Sequence, residues 1–389
     1  MRYRKLGKTN VDVSILSFGA MRLPMVGGPD GLAGFDPNVP IDEEHAGKII
    51  EHALEAGVNY YDTAYLYHGG KSETFLGKVL RPHRSKVMIA TKLPVWNIEK
   101  KEDFERIFSE QLSKLKTDYI DFYLVHGLGA STWEKMKKLG VLEFMDGLRN
   151  SGRIRYAGFS FHDEIKVFKE IVDAHDWDIC QIQFNFYDQE YQAGKEGLLY
   201  AAEREIGVVV MEPLRGGKLV DKIPPDIQKI WDSSPGQKSP VEYAMRWVWN
   251  HAEVSTVLSG ASTLGQIREN TRYVKDAAPD SLTAEELSLI SQVRNSYREK
   301  LKVDCTGCGY CMPCPNGVNI PHNFSLYNDF FLFKGPEFNQ FAYNQFMTPE
   351  QRASGCIECM ECIEKCPQNI EIPEELKEVH KVLGKEEKK

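Results

Sequence analysis

Short apolar runs rich in β-branched residues alternate with longer amphipathic stretches over the first three quarters of the chain. The longer stretches, such as Glu102–Lys116 and Trp133–Asn150, place apolar residues at helical spacing, which predicts helices. The short runs predict eight strands, at Ser14–Phe18, Val58–Tyr61, Val87–Thr91, Ile120–Val125, Arg155–Phe159, Ile179–Phe184, Val208–Met211 and Ser255–Leu258.

Eight strands, each followed by a helix within about 275 residues, match an α/β fold of the (β/α)₈ barrel type in number, order and size. The alternative is an open doubly wound sheet. No G-x-G-x-x-G follows the first predicted strand, which favours the barrel. Two short runs ahead of that strand, Tyr3–Leu6 and Asp12–Ile15, predict a hairpin that closes the barrel floor.

The composition changes near Ala277–Ser281, and a further helix is predicted over Ala284–Lys300. We therefore expect a barrel domain over residues 1–280 and a second domain over residues 281–389, which begins with this linking helix and ends in a charged tail.

Composition and charge exclude several classes of function. The chain has 389 residues, 42% of them hydrophobic and 27% charged, as in ordinary globular proteins. Its net charge of −8 argues against a nucleic-acid or anionic-membrane partner. There is no apolar run of about 18 residues, and the basic start has no apolar block behind it. We expect a cytoplasmic protein without a membrane partner.

The nine cysteines are distributed very unevenly. Cys180 stands alone in an apolar strand, where we expect it to pack as a small buried hydrophobic side chain. The other eight lie in two tight runs between Cys305 and Cys366. Secreted disulfide proteins usually spread their cysteines through a small scaffold, so these runs indicate metal binding in a reducing compartment.

Each run has three cysteines at steps of three and a further cysteine directly before a proline, Pro315 or Pro367. A triplet of this kind ligates three irons of one cubane, and in two-cluster ferredoxins the fourth cysteine crosses to the other cluster. The first run has two residues before its last cysteine instead of three. The pattern predicts two [4Fe–4S] clusters, one on Cys305, Cys308, Cys311 and Cys366 and the other on Cys356, Cys359, Cys362 and Cys314.

Structural zinc is the alternative for these runs, although it normally uses separated C-x₂-C pairs. Residues 316–355, between the runs, have partly helical patterning. This favours a mainly α-helical ferredoxin-type domain over the compact bacterial βαβ ferredoxin.

Four chemically suitable side chains are predicted at one rim of the barrel. Asp62 and Tyr67 follow the second strand, Lys92 ends the third and His126 ends the fourth. Active sites of this fold lie at the carboxyl ends of the strands. Hydride addition to a carbonyl leaves an alkoxide that needs a proton, which a phenol can donate. An ammonium lowers the pKa of that phenol, a carboxylate compensates the ammonium, and a histidine polarises the carbonyl.

This set resembles the catalytic tetrad of the aldo/keto reductases, over about residues 1–275. The resemblance implies that Tyr67 is the general acid, that Lys92 lowers its pKa, that Asp62 pairs with Lys92, and that His126 orients the carbonyl. It also implies a bound dinucleotide, NADP or NAD, at a set of residues comprising Ser160, Gln181, Met211, Pro213, Leu214, Gly216, Lys218, Gly260, Ser262, Gln266 and Asn270.

In this resemblance, Met211–Lys218 corresponds to the loop over the pyrophosphate and Gly260–Asn270 to the adenosine-phosphate segment. The chain departs from the family pattern at Phe161, where an asparagine is expected, and at Met211 and Glu212, where a ring-stacking aromatic residue and a serine are expected. It also lacks the basic residue expected at Ser262 or Gln266. Because recognition of a 2′-phosphate usually takes a cation, both NADH and NADPH stay open. Around the site, Met21, Arg22 and Trp96 are expected to shape the pocket. His68 and Lys71 are expected as exposed loop residues, with contact to substrate as the alternative.

Three functions fit these features. The first is an oxidoreductase for a small carbonyl or alcohol substrate, whose clusters exchange electrons with a one-electron carrier such as ferredoxin. The second is a non-catalytic redox sensor or electron-transfer protein on a reductase-like barrel, suggested by the departures at Phe161, Met211 and Glu212. In the third, the clusters are structural staples beside an ordinary reductase.

Overall fold

The computed structural model describes residues 1–27, 39–221, 223–234, 236, 238–300, 302–303, 305, 311–332, 336–363, 366 and 370–384. The chain forms two compact units. The first comprises Met1–Gly216 and Val241–Thr283, and the second comprises Gly217–Pro240 and Ala284–Lys389. Beyond the part expected after residue 280, the second unit therefore takes in Gly217–Pro240.

The first unit is built around a closed barrel of parallel strands, as predicted. The strands described are β1 Tyr3–Lys5, β2 Asp12–Ser14, β3 Leu16–Gly19, β4 Tyr60–Asp62, β5 Met88–Pro94, β6 Ile120–Leu128, β7 Ile154–Phe161, β8 Ile179–Gln183, β9 Gly207–Met211 and β10 Val254–Ser259. The barrel strands are paired in the order β10-β3-β4-β5-β6-β7-β8-β9.

Six strands extend beyond their predicted carboxyl ends, β5 and β6 by the most. Strand β5 continues to Pro94 and β6 to Leu128, because their pairing persists to the partners Pro94 and His126. In the same register Lys92 lies opposite Leu124. Both Lys92 and His126 are thus held inside paired strands near their carboxyl ends, and rigid strand backbone positions them.

The predicted amino-terminal hairpin is present, with β1 antiparallel to β2. Its turn packs on the start of β9, where the Lys8 N–H donates to the Glu205 carbonyl at 2.7 Å. A Cβ on Gly7 would lie 2.3 Å from the same carbonyl oxygen, so only glycine fits there. The hairpin therefore closes the end of the barrel opposite the carboxyl ends of the strands.

The helices of the first unit follow the predicted alternation, with one difference. Gly140 adopts φ 81° and divides the predicted Trp133–Asn150 stretch into two helices, because a left-handed residue ends a helix. The helices in this unit are α1 Glu43–Glu55, α2 Ser72–Leu80, α3 Glu102–Leu115, α4 Ala130–Leu139, α5 Val141–Asn150, α6 Ile165–Asp173, α7 Gly194–Ala202, α9 Pro240–Trp249 and α10 Leu264–Tyr273.

The second unit is mainly α-helical where it is described, as expected for a helical ferredoxin-type domain. It contains α8 Pro225–Asp232, α11 Ala284–Arg298, α12 Ile320–Leu332, α13 Pro336–Gln345 and α14 Ile372–Leu383. Its core includes the buried side chains of Phe324, Tyr343 and Val379, and partly buried cysteines of both runs pack against it. No helix in the described part of the chain is long and apolar enough to cross a membrane.

Helices α2 and α3 approach too closely for a side chain at Gly77. A Cβ there would lie 2.3 Å from the Lys114 carbonyl oxygen and 2.6 Å from the Leu115 backbone. We expect Gly77→Ala to lower the free energy of unfolding by about 1–3 kcal/mol through overpacking. Gly47→Ala in α1 is the control, since nothing lies within 4 Å of a Cβ at Gly47. Anaerobic urea unfolding followed by circular dichroism measures both. Equal stability of the two variants would contradict this account of α2–α3 packing.

Candidate active site and iron–sulfur centre

A buried ion pair lies at the carboxyl ends of β4 and β5. The Lys92 Nζ donates to Asp62 Oδ1 at 2.6 Å and to the Thr63 carbonyl oxygen at 2.7 Å. The two charged side chains are 0% and 3% exposed. A buried charge is tolerated only when it is paired and hydrogen-bonded, and Lys92 satisfies both conditions.

Burial acts on the pKa values of Lys92 and Asp62 in opposite directions. Burial lowers the pKa of the Lys92 ammonium, but Asp62 and Tyr67 outweigh it and the net pKa lies above the ordinary lysine value. Burial raises the pKa of the Asp62 carboxyl, and Lys92 acts against that rise. With a 2.6 Å contact and a second acceptor at Thr63, we take the pair as ionic, so the lysine stays charged.

Tyr67 lies beside this cation. The Lys92 Nζ is 5.2 Å from the centroid of the Tyr67 ring, which keeps some solvent exposure. Burial raises the pKa of the Tyr67 phenol above its ordinary value, and the Lys92 charge works against this rise. We expected a net lowering towards neutrality. That expectation considered only the lysine, whereas the enclosing protein also desolvates the phenolate.

His126 completes the group. Its ring is edge-on to the Tyr67 ring at 6.1 Å and to the exposed Trp96 ring at 5.1 Å, between centroids. Burial lowers the pKa of His126 well below its ordinary value, and the Lys92 charge adds to this. The ring is therefore neutral, with one N–H to donate. Its Nδ1 is buried without a hydrogen-bond partner.

A buried polar network holds the backbone at Lys92 from behind. Glu73 Oε1 accepts hydrogen bonds from Thr91 Oγ1 at 2.6 Å and from Gln111 Nε2 at 2.7 Å. Gln111 Nε2 also donates to the Lys92 carbonyl oxygen at 3.0 Å, and Tyr123 donates to Gln111 Oε1 at 2.8 Å. Sequence reasoning missed this network. The available signal was a glutamine on the buried stripe of α3.

His68 is buried, which contradicts the expectation of an exposed loop residue, whereas Lys71 is exposed as expected. The backbone at His68 is left-handed, with φ 52° and ψ 45°. Its Nε2 accepts a hydrogen bond from the Leu23 N–H at 3.1 Å. Burial lowers the pKa of His68 to about 4, so the ring stays a neutral acceptor. His68 thereby fixes the loop that follows β3 at the rim.

Three predicted dinucleotide contacts lie on neighbouring strands. Ser160 on β7 is in register with Gln181 on β8, and Ser160 Oγ accepts from the Gly127 N–H at 2.8 Å. Gln181 Nε2 contacts the Met211 sulfur at 3.4 Å. Gln181 Oε1 is buried and has no hydrogen-bond partner. An unsatisfied buried acceptor fits an amide donor such as a nicotinamide carboxamide.

The loop after β9 contains the next predicted contacts. Pro213 and Leu214 form a turn, and Gly216 has φ 67°. Lys218 belongs to the second unit, where it forms an ion pair with Asp329 of α12. The predicted phosphate-facing lysine therefore already has an anionic partner.

Polar side chains of the Gly260–Asn270 segment form hydrogen bonds within the segment and to the end of β10. Gln266 Oε1 accepts from the Ser262 N–H at 2.8 Å, and Gln266 takes part in the capping box of α10. Asn270 Nδ2 donates to Ser259 Oγ at 2.9 Å. These hydrogen bonds fix the shape of the segment. Its role in binding phosphate stays a prediction.

In the second unit, cysteines from both runs surround one cavity. Burial raises the pKa of the Cys362 thiol, and the neighbouring Cys356, Cys359 and Cys314 raise it further. These four are the predicted ligands of the second cluster. The cavity is lined by Cys311, Pro313, Cys314, Pro315, Ile320, Cys356, Ile357, Cys359, Met360, Glu361, Cys362, Pro373 and Leu376.

A thiol-rich cavity with an apolar wall suits a [4Fe–4S] cubane. Of the other predicted ligands, Cys305, Cys311 and Cys366 are partly buried against the core of the unit, and Cys308 lies outside the described residues. No three His, Cys, Asp or Glu side chains among the described residues converge on the position of a single metal ion. Cys180 is fully buried in β8 and burial raises its pKa, as expected for a packing residue.

Comparison with known proteins identifies two known domains in the chain. The model of the aldo/keto reductase family matches residues 16–295, and that of the 4Fe-4S dicluster domain matches residues 304–371. An uncharacterized oxidoreductase, YqkF of Bacillus subtilis, is 28% identical over 75% of this chain and 95% of its own length. The NADH-specific methylglyoxal reductase of Escherichia coli is 24% identical over 69% of this chain and 92% of its own length.

Among solved structures, aldo-keto reductase AKR11C1 from Bacillus halodurans (holo form) has a TM-score of 0.63 at 30% identity. The match covers 75% of this chain and 96% of that one. The chain belongs to the aldo/keto reductase family and carries a carboxyl-terminal 4Fe-4S dicluster domain. It is thus an oxidoreductase with an iron–sulfur domain.

The lowered pKa of His126 predicts a neutral ring between about pH 8 and about pH 6. In the unfolded chain this histidine binds a proton near its ordinary pKa, while the folded one does not. Its contribution to stability is therefore complete above the unfolded pKa and is lost as the pH falls. NMR of ¹⁵N-histidine-labelled protein, assigned with His126→Gln, should show no titration of this ring in that range.

His126→Gln should also flatten the fall in stability on acidification, and His45→Gln, at an exposed position, controls for loss of an imidazole. A His126 signal that titrates near pH 6.5 would contradict the neutral assignment.

Proposed function

We propose that the protein interconverts a small carbonyl and its alcohol at Tyr67, Lys92, Asp62 and His126, with electron transfer through two [4Fe–4S] clusters. The observation that carries this proposal is the buried Lys92 ammonium, held by Asp62 at 2.6 Å and placed 5.2 Å from the Tyr67 ring. A structural ion pair would have no need of a partly exposed phenol beside it.

When bound, the dinucleotide supplies or takes up a hydride, which carries two electrons, and the two clusters supply or take up one electron each. The two clusters together carry as many electrons as one hydride, one electron each, which supports exchange with a one-electron carrier such as ferredoxin. Eight cysteines that bind clusters must stay reduced, and thiols stay reduced in the cytosol, which supports a cytoplasmic location.

The chain's own residues manage the proton and the carbonyl. In reduction, the Tyr67 hydroxyl donates its proton to the oxygen that was the carbonyl, and Lys92 stabilises the phenolate that remains. In oxidation, the phenolate takes the proton back. The neutral His126 ring donates a hydrogen bond to the same oxygen. Asp62 keeps the Lys92 charge compensated throughout.

The choice between NADP and NAD follows from the phosphate side of the site. Ser262 and Gln266 stand where a cation is expected. The absence of that cation disfavours an extra 2′-phosphate. We therefore propose that NADH binds at least as well as NADPH, in line with one NADH-specific relative.

Replacement of the proton donor tests the catalytic part. Tyr67→Phe should lower kcat by about 10²-fold or more while dinucleotide affinity stays within about twofold, because only the proton transfer is lost. Oxidation of NADH and of NADPH is followed with methylglyoxal and a panel of small aldehydes. Tyr65→Phe is the control, since the Tyr65 hydroxyl donates to Glu110 on α3. Activity that is equal in both variants would favour the non-catalytic sensor.

Removal of one ligand tests the cluster assignment. Cys314→Ser should lower the iron and sulfide content of anaerobic protein from about eight atoms of each towards about four, because Cys314 groups with the second cysteine run. Cys180→Ala, a cysteine buried in β8, should keep the full content. Zinc without inorganic sulfide in the wild type would refute the iron–sulfur assignment. Visible absorbance unchanged by NADH and NADPH, with and without a reactive aldehyde, would refute internal electron transfer.

A further inference from the structure

Arg22 connects two loops at the barrel rim. It ends the short 3₁₀ turn Ala20–Arg22 after β3, and its Nη2 lies 3.1 Å from Glu212 Oε1 after β9. The two side chains are 30% and 27% exposed, so the pair is only partly desolvated. His68 fixes the adjacent Leu23 backbone, which holds the arginine loop in place.

The Arg22 side chain also lies against two glycines. A Cβ on Gly260 would come within 3.9 Å of the Arg22 Cβ, Cδ and Nη1, and a Cβ on Gly216 within 3.1 Å of its Nη2. The arginine therefore runs along Gly260 and ends at Gly216. These glycines belong to the two segments whose family resemblance implies contact with the dinucleotide phosphates.

Of the other cations in these segments, Lys218 and Arg215 have carboxylate partners elsewhere, and Arg268 is exposed on α10. Lys218 pairs with Asp329, and the Arg215 Nε lies 3.2 Å from Asp188 Oδ2. Ser262 and Gln266 carry no charge. Arg22 is paired too, but its partner Glu212 occupies a position where the family resemblance implies an uncharged serine.

We propose that Arg22 binds the pyrophosphate of the dinucleotide and that Glu212 competes with it for the guanidinium, so that Glu212 limits dinucleotide affinity. This inference rests on the proposed function. A guanidinium binds two phosphate oxygens in the same bidentate way in which it binds the two oxygens of a carboxylate. The diphosphate carries two negative charges, whereas the Glu212 carboxylate carries one. After the exchange Glu212 is left beside phosphate oxygens of like charge, which weakens binding.

A structural latch is the competing role for this pair, and the two roles differ in the sign of one effect. If Arg22–Glu212 only holds the two loops together, loss of either partner disorders the rim and weakens binding. If Glu212 competes with phosphate, its loss frees the guanidinium and removes a repulsive charge. Glu212→Gln keeps the size and polarity of the side chain and therefore separates the two roles.

Dinucleotide binding to the anaerobic, cluster-loaded protein is measured by isothermal titration calorimetry with NADH and with NADPH. We expect Arg22→Met to raise Kd about tenfold or more, Arg22→Lys to restore part of the loss, and Glu212→Gln to lower Kd about threefold to tenfold. The affinity of Arg22→Met should also depend less on salt than that of the wild type.

Arg204→Met and Asp173→Asn are the controls, since they break a surface arginine–carboxylate pair of the same kind at 2.9 Å, between the turn after α7 and the end of α6. Both should leave Kd unchanged.

Weaker binding by Glu212→Gln, or unchanged binding by Arg22→Met and Arg22→Lys, overturns this inference and leaves the proposed function standing. A wild-type protein that binds neither dinucleotide overturns both. Melting temperatures of the variants report whether each has folded. If Arg22→Met does not fold, the sign of the Glu212→Gln effect and the Arg22→Lys result still decide.

Discussion

The charge of Lys92 is the constraint on which the candidate active site depends. An ammonium in the barrel interior is stable only with an anion and further acceptors, which Asp62 and the Thr63 carbonyl provide. Removing one partner of such a pair typically costs about 3–5 kcal/mol. Both groups sit on adjacent parallel strands near their carboxyl ends, so the barrel register brings them together. A phenol and an imidazole placed at the same rim then share one electrostatic environment, in which the cation favours both a phenolate and a neutral histidine.

Much of this arrangement follows from the sequence because strand order determines which residues share a rim. Eight apolar runs place Asp62, Lys92 and His126 at strand ends, and parallel pairing makes those ends neighbours. The cysteine spacing is equally local: Cys311 and Cys314 of the first run line one cavity with cysteines of the second run, while their division between two clusters stays a prediction. Apolar runs and cysteine steps of three are short-range patterns that can be recognised in the sequence alone. These features were therefore predictable without a structure.

Other features depend on three-dimensional surroundings that no spacing encodes. The pKa of Tyr67 is raised by enclosure as well as opposed by Lys92, and enclosure appears only after folding. His68 enters the core through a left-handed backbone, although its sequence neighbours are loop residues. Glu73 and Gln111 meet from different helices behind Lys92. In each case a long-range contact overrides a local preference.

The segment after β9 is divided between the two compact units of the chain. Past Gly216 this segment belongs to the second unit, although it lies in the middle of the barrel sequence. It is anchored there by Lys218 on Asp329 and by the Leu219 carbonyl, which accepts from Tyr297 at 3.4 Å. Only the part of this segment from Gly217 onward thus belongs to the unit that carries the cysteines. Lys218 is paired with Asp329 there, so under the proposed function Arg22 is the cation that lies beside Gly216.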